Sequence, residues 1–146
     1  MTPANRTGLI RVGSFTLAYL LIATVGALAS GNSEFVFYIV VMVILVALVG
    51  VVHVHIGLPE SALWALSIWG LAHMAGGLIT VPADWPTHGP NQVLYSLWLI
   101  PDRLKYDQVV HAYGFGVTTW ICWLGLQSTL SGAGIDPAPT AGRQKN

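Results

Sequence analysis

Residues 35–52, FVFYIVVMVILVALVGVV, form an 18-residue run whose only polar side-chain group is the Tyr38 hydroxyl. Coiled as a helix it rises ~27 Å, close to the ~30 Å hydrocarbon core of a bilayer. Its valines would favour a strand in water. Lipid offers a backbone amide no partner, however, so the segment is driven into a helix that bonds internally. The remainder of the chain has to be read on the scale this segment sets.

Composition agrees with that scale. Of 146 residues, 54% are apolar and 8% charged, the latter about a third of the ~25% typical of soluble domains. The charges also cluster. Arg6 and Arg11 precede the first apolar stretch, Glu34 and Glu60 separate later ones, and Asp84, Asp102, Arg103, Lys105 and Asp107 share a polar region. Asp136, Arg143 and Lys145 lie in the tail. The pattern predicts an all-α integral membrane protein with four transmembrane helices, at about 14–30, 35–52, 61–81 and 107–130. They form one domain over 14–130, between an N-terminal segment, 1–13, and a tail, 131–146, with the composition of a disordered segment. The lipid bilayer is thus the principal partner. Net charge is zero and no Lys/Arg-rich run occurs, which excludes the phosphate-neutralising surface of a nucleic-acid binder. Cys122 is the single cysteine and sits in an apolar run; it reads as a packing residue and permits no intrachain disulfide.

The first span is short, and its preceding arginines and Ala27-Leu28-Ala29 ending also fit a cleavable secretory signal. It is read as retained, because only a few residues part it from the second span. Pro59 and Glu60 suit the start of the third span and Pro82 closes it. The following loop, 82–106, contains an apolar island at 93–100 that is too short to cross, so a short interfacial or re-entrant helix is expected before the fourth span. Trp64, Trp85, Trp98 and Tyr106 fall near span ends, where amphipathic rings anchor. Arg6, Arg11, Arg143 and Lys145 lie on one side of a four-span protein, and Arg103 and Lys105 on the other. The positive-inside rule then puts both termini in the cytoplasm.

Ionisable groups inside a membrane are costly and therefore functional candidates. His73, Asp107 and His111 qualify. Asp107 and His111 are spaced i, i+4 and share a helix face, while His73 and His111 fall at similar depth beside the same loop. Gly76, Gly77, Gly114 and Gly116 would let the helices that carry them approach closely. Three ligands could hold one divalent metal, as in open zinc sites, and histidine with carboxylate also suits iron or manganese. The alternative is structural: hydrogen-bonded neutral histidines, with Asp107 capping the fourth helix. His53 and His55 form secondary candidates at the opposite membrane face, where i, i+2 positions point apart and solvated histidines are expected. His88 carries no signal of its own.

Ala72-His73-Met74-Ala75-Gly76-Gly77 and Tyr106-Asp107-Gln108-Val109-Val110-His111, with Gly114 and Gly116, resemble the YjdF-like family of uncharacterised bacterial inner-membrane proteins, over about residues 60–125. The resemblance implies a bacterial inner-membrane location. The family pattern, as the resemblance implies it, continues into further helices rich in acidic residues; this chain stops where they would begin, and nothing of their role is carried over. Asp107-x-x-x-His111 followed by Phe115 is also similar to VanZ-like membrane proteins. Neither family supplies an established reaction. Three functions stay open: a multi-pass membrane protein with an intramembrane His/Asp polar or ligand site, a metal-dependent membrane enzyme acting on a lipid or lipid-linked substrate, or a homo-oligomeric subunit or small transporter. The histidines are too few for a desaturase-like di-iron centre.

Overall fold

A computed structural model of the chain describes residues 3–31 and 33–135. Four helices dominate: α1, Pro3–Ala29; α2, Ser33–Ile56; α3, Glu60–Leu78; and α4, Tyr106–Gly132. Between α3 and α4 lie a single 3-10 turn, Leu94–Ser96, and two short antiparallel strands, β1, Trp98–Ile100, and β2, Leu104–Lys105. Three helices are long and apolar enough to cross a membrane, over Arg6–Ala29, Phe35–Ile56 and Tyr106–Gly132. The helix of the expected third span is not among them, because Glu60, Ser67 and His73 dilute its apolar residues.

Helix boundaries depart from the sequence reading at several ends, and at the first of them charge is not the stop that reading makes it. α1 starts at Pro3, not near residue 14, and carries Arg6 and Arg11 within its first turns. α3 ends at Leu78, short of 81, and α4 continues to Gly132, past 130. Residues 136–146, most of the expected disordered tail, lie outside the described residues. Gly57 closes α2 in the left-handed region, φ 67°, with its N–H donating to the His53 carbonyl at 2.8 Å. This glycine-ended stop leaves three residues before α3 begins.

The expected interfacial or re-entrant helix at 93–100 is replaced by the 3-10 turn and β1. Eight apolar-rich residues contribute few internal helical bonds, whereas backbone pairing with neighbouring segments satisfies the same amides. Val81 N–H donates to Gln92 at 3.0 Å, Leu94 N–H to Ile79 at 2.9 Å, and Tyr106 N–H to Leu97 at 3.0 Å. Pinned at both ends in this way, the loop lays Tyr95 against the bundle.

The helices run alternately up and down. α1 and α3 are parallel: Gly8 lies against Glu60, Gly70 against Tyr19 and Gly26 against Leu78. At their middle, the buried Thr16 and Ser67 hydroxyls share a 2.6 Å hydrogen bond. α4 runs antiparallel to α3, with the Tyr106 hydroxyl donating to Ala72 O at 3.0 Å and the Tyr113 hydroxyl to Ala65 O at 3.2 Å. α3 is therefore the helix flanked on both sides. One apolar cluster joins Tyr19, Ala23 and Ala27 of α1 to Phe35 and Ile39 of α2 and Met74 of α3; a second joins Val12 to Leu58, Ala62 and Leu63. α1 contributes to both, so its loss would uncover both. α2, by contrast, exposes Phe37, Val40, Val43, Ile44, Leu48 and Val51, an apolar face that suits hydrocarbon.

Candidate functional site

His73 lies late in α3 and His111 one turn into α4, and the antiparallel pairing of these helices brings their rings together. The ring centroids are 6.0 Å apart, with the planes inclined at 70°. Asp107 faces His111 across one helical turn: His111 Nδ1 lies 3.0 Å from Asp107 Oδ1 and 2.8 Å from the Asp107 carbonyl oxygen. A proton on that nitrogen satisfies both acceptors, so the carboxylate fixes the imidazole's orientation.

Asp107 does not cap α4. That role falls to Gln108, whose side-chain oxygen accepts the Lys105 N–H at 2.8 Å. A carboxylate at the second helical position is free to turn along the helix toward i+4, which is where His111 sits.

Aromatic rings surround His73. Trp69, one turn earlier on α3, lies at 6.4 Å between centroids, and Tyr95 from the loop at 5.4 Å; Tyr95 in turn meets Tyr106 at 6.2 Å. His73 Nδ1, Trp69 Nε1 and the Tyr95 hydroxyl are buried with no hydrogen-bond partner. Leaving a polar group so costs ~1–3 kcal/mol each. Burial, reinforced by the Asp107 charge, pushes the Tyr95 phenol well above its ordinary value near 10.0, so it remains a neutral donor at physiological pH. The indole N–H only donates. The unsatisfied groups around His73 are thus chiefly donors.

Close packing holds this arrangement, and its glycines serve aromatic side chains. A Cβ on Gly114 would strike the Trp69 indole, one on Gly76 the Tyr95 ring and one on Gly77 the Phe35 ring. Gly116 meets nothing within 4 Å. The expected glycine-lined helix contact is therefore one part helix pairing, at Gly114, and two parts seats for rings from the loop and from α2.

The metal reading is not supported. Among the described residues, no three of His, Cys, Asp and Glu gather closely enough to hold a metal ion. The donors of His73, Asp107 and His111 do not close on one point, since the Asp107 carboxylate is engaged with His111 and the two imidazoles meet ring against ring. Among the described residues, no ligand set for zinc, iron or manganese is assembled. Cys122 is exposed on α4, not packed inside.

His55 points outward and bonds its own helix, Nδ1 to Val51 O at 2.8 Å. His53 turns inward with its Nδ1 buried and unpartnered. The two do part, and His53, although far from His73 along the helices, lines the same cleft between α1, α2 and α3. Its continuity across the bundle is invisible to a per-helix reading. Trp69 and Tyr95 were also missed. Trp69 is legible afterwards as the residue at i−4 from His73; Tyr95 depends on the loop's fold-back and leaves no local signal.

Together these features define an α-helical protein with three helices fit for a membrane and a donor-rich His/Trp/Tyr cluster at one end of the bundle. Compared with protein-family models, curated proteins and solved structures, the chain finds no match in any of the three.

Proposed function

We propose that the chain is a four-span membrane protein that binds a carbonyl-bearing ligand at the His73 cluster. The observation that carries this reading is the set of three buried, unpartnered polar atoms on His73, Trp69 and Tyr95. Donors held in a site of low polarity favour an acceptor oxygen. The nearby Asp107 carboxylate disfavours a second negative charge, so a neutral carbonyl suits the site better than a carboxylate or phosphate. The kinship with YjdF-like proteins belongs to the same proposal, since residues 72–77 and 106–111 supply His73, Asp107 and His111.

The fourth span is α3. Its 19 residues rise ~28 Å, and it lies along α1 from Gly8 to Gly26 while α4 flanks it antiparallel. A helix held lengthwise between crossing helices crosses with them. Four crossings return the C-terminus to the side of the N-terminus, and the Lys/Arg balance assigns that side to the cytoplasm. Reporter fusions test this: green fluorescent protein is expected to fluoresce at either terminus, and alkaline phosphatase to stay at least tenfold less active there than when inserted at Gly89. Termini on opposite sides would reduce the protein to three crossings.

Ligand binding is tested by native mass spectrometry of protein extracted in mild detergent. Wild type is expected to retain one carbonyl-bearing lipid per chain. In Trp69→Phe/Tyr95→Phe, two donors are gone but the rings remain. At about 1 kcal/mol per hydrogen bond, retention should weaken about 30-fold. Equal adducts in both proteins, or none in wild type, would remove the reading.

A further inference from the structure

The cleft between α1, α2 and α3 has a volume of about 550 Å³, within the ~300–1,000 Å³ of small-molecule sites. His73 and Trp69 line one end and His53 the other; between them the walls are mostly aliphatic, with Leu20, Met42, Val46 and Val49 among them, and Tyr19 and Tyr38 add aromatic rings. The hydroxyls at its middle, Thr16 and Ser67, are bonded to each other and offer an occupant little. Phe35 packs level with Gly77 and Met42 with Gly70, so His53 is level with residue 59. That places it fourteen residues below His73, or ~21 Å at 1.5 Å per residue. Half a bilayer core is only ~15 Å. The lining residues Leu17, Tyr38 and Leu45 are themselves exposed, so the cleft opens sideways, where the surrounding medium is hydrocarbon.

We propose that this cleft holds the hydrocarbon chain of a single-chain ester lipid whose carbonyl occupies the His73 cluster. The proposal rests on the ligand-binding reading above and specifies the ligand's class. An acyl chain gains little by leaving one hydrocarbon environment for another, since only dispersion and fit improve. Selection must come from the polar end. His73 belongs both to the donor cluster and to the cleft wall, so a carbonyl held there delivers its chain directly into the cleft, parallel to the helices. A volume of about 550 Å³ matches one lipid chain rather than two.

Gly13 and Gly50 line the cleft, and a Cβ on either meets nothing within 4 Å. Gly13→Phe/Gly50→Phe therefore introduces two rings along the cleft from positions with open space at Cβ, and a monodisperse gel-filtration peak will establish its fold. The probe is a monoacylglycerol carrying a diazirine midway along its chain, photolysed with detergent-purified protein and mapped by peptide mass spectrometry. Wild type is expected to take about one label per chain, on α1, α2 or α3 residues such as Met42 and Val46, and the plugged variant at least tenfold less. Equal labelling of the plugged variant, or wild-type label spread over the outer residues Phe37, Val43 and Leu48, would overturn the chain site. In the first case, continued loss of the lipid adduct in Trp69→Phe/Tyr95→Phe would leave the head site standing. If instead the plugged variant loses label while Trp69→Phe/Tyr95→Phe keeps it, the cleft binds the chain and the carbonyl reading fails.

Discussion

Gly114→Val is expected to separate α3 from α4 and to destabilise the protein by about 3 kcal/mol, the upper part of the range for overpacked cores. The Cβ of any residue at 114 points into the Trp69 indole. An indole is rigid, and its ring is also held against His73, so it has no flexible end to swing aside. The backbone must move instead. Gly116→Val, two residues on, meets nothing within 4 Å and is expected to leave stability within about 0.5 kcal/mol of wild type. Thermal unfolding in detergent, read by gel-filtration loss, separates the two variants. Trp69→Ala in the Gly114→Val background should recover part of the loss, because it removes the atoms that the new methyl groups strike; a double variant no better than Gly114→Val alone would show that the indole is not the cause.

Tyr95→Ala is expected to release the loop between α3 and α4. The Tyr95 ring sits on Gly76 and touches both His73 and Tyr106, so its truncation leaves a cavity where the loop meets two helices. Large-to-small changes of this size cost ~3–5 kcal/mol when buried, and about half of that is expected for this half-buried ring. Local opening by ~2 kcal/mol raises the exposed population about 30-fold. Limited proteolysis should accordingly cut at Arg103 or Lys105 at least tenfold faster, with the helices intact. Tyr95→Phe preserves the ring and should cut like wild type. That contrast keeps the hydroxyl's part in ligand binding apart from the ring's part in holding the loop.

The helical character of the chain and its three long apolar helices were legible because composition forces them. α3 was legible as a helix but not as the flanked one. Its Glu60, Ser67 and His73 lower its apolar content; Glu60 accepts from Trp64 on its own helix, but Ser67 and His73 find partners or company only once α1 and α4 surround it. The pairing of His73 with His111 could be anticipated from equal depth beside one loop. What the sequence could not supply was the third dimension of that site. Tyr95 reaches it through backbone bonds from residues 79 to 94, and the cleft from His73 to His53 exists only because α2 leans on α1 and α3 without filling the space between them. The metal expectation finds no support for a related reason: counting ligands by spacing ignores that Asp107 is already engaged by its helical neighbour.

The parallel pairing of α1 with α3 sets a timetable for synthesis. Thr16 and Ser67 are 51 residues apart, so at ~5–20 residues per second the ribosome needs ~3–10 s to deliver the second hydroxyl after the first. Throughout that interval α1 has at most α2 to lean on, and Ala27, fully enclosed in the finished bundle, is open to whatever machinery scans newly inserted helices. Factors that hasten the arrival of α3 protect the nascent chain; a stalled ribosome exposes it.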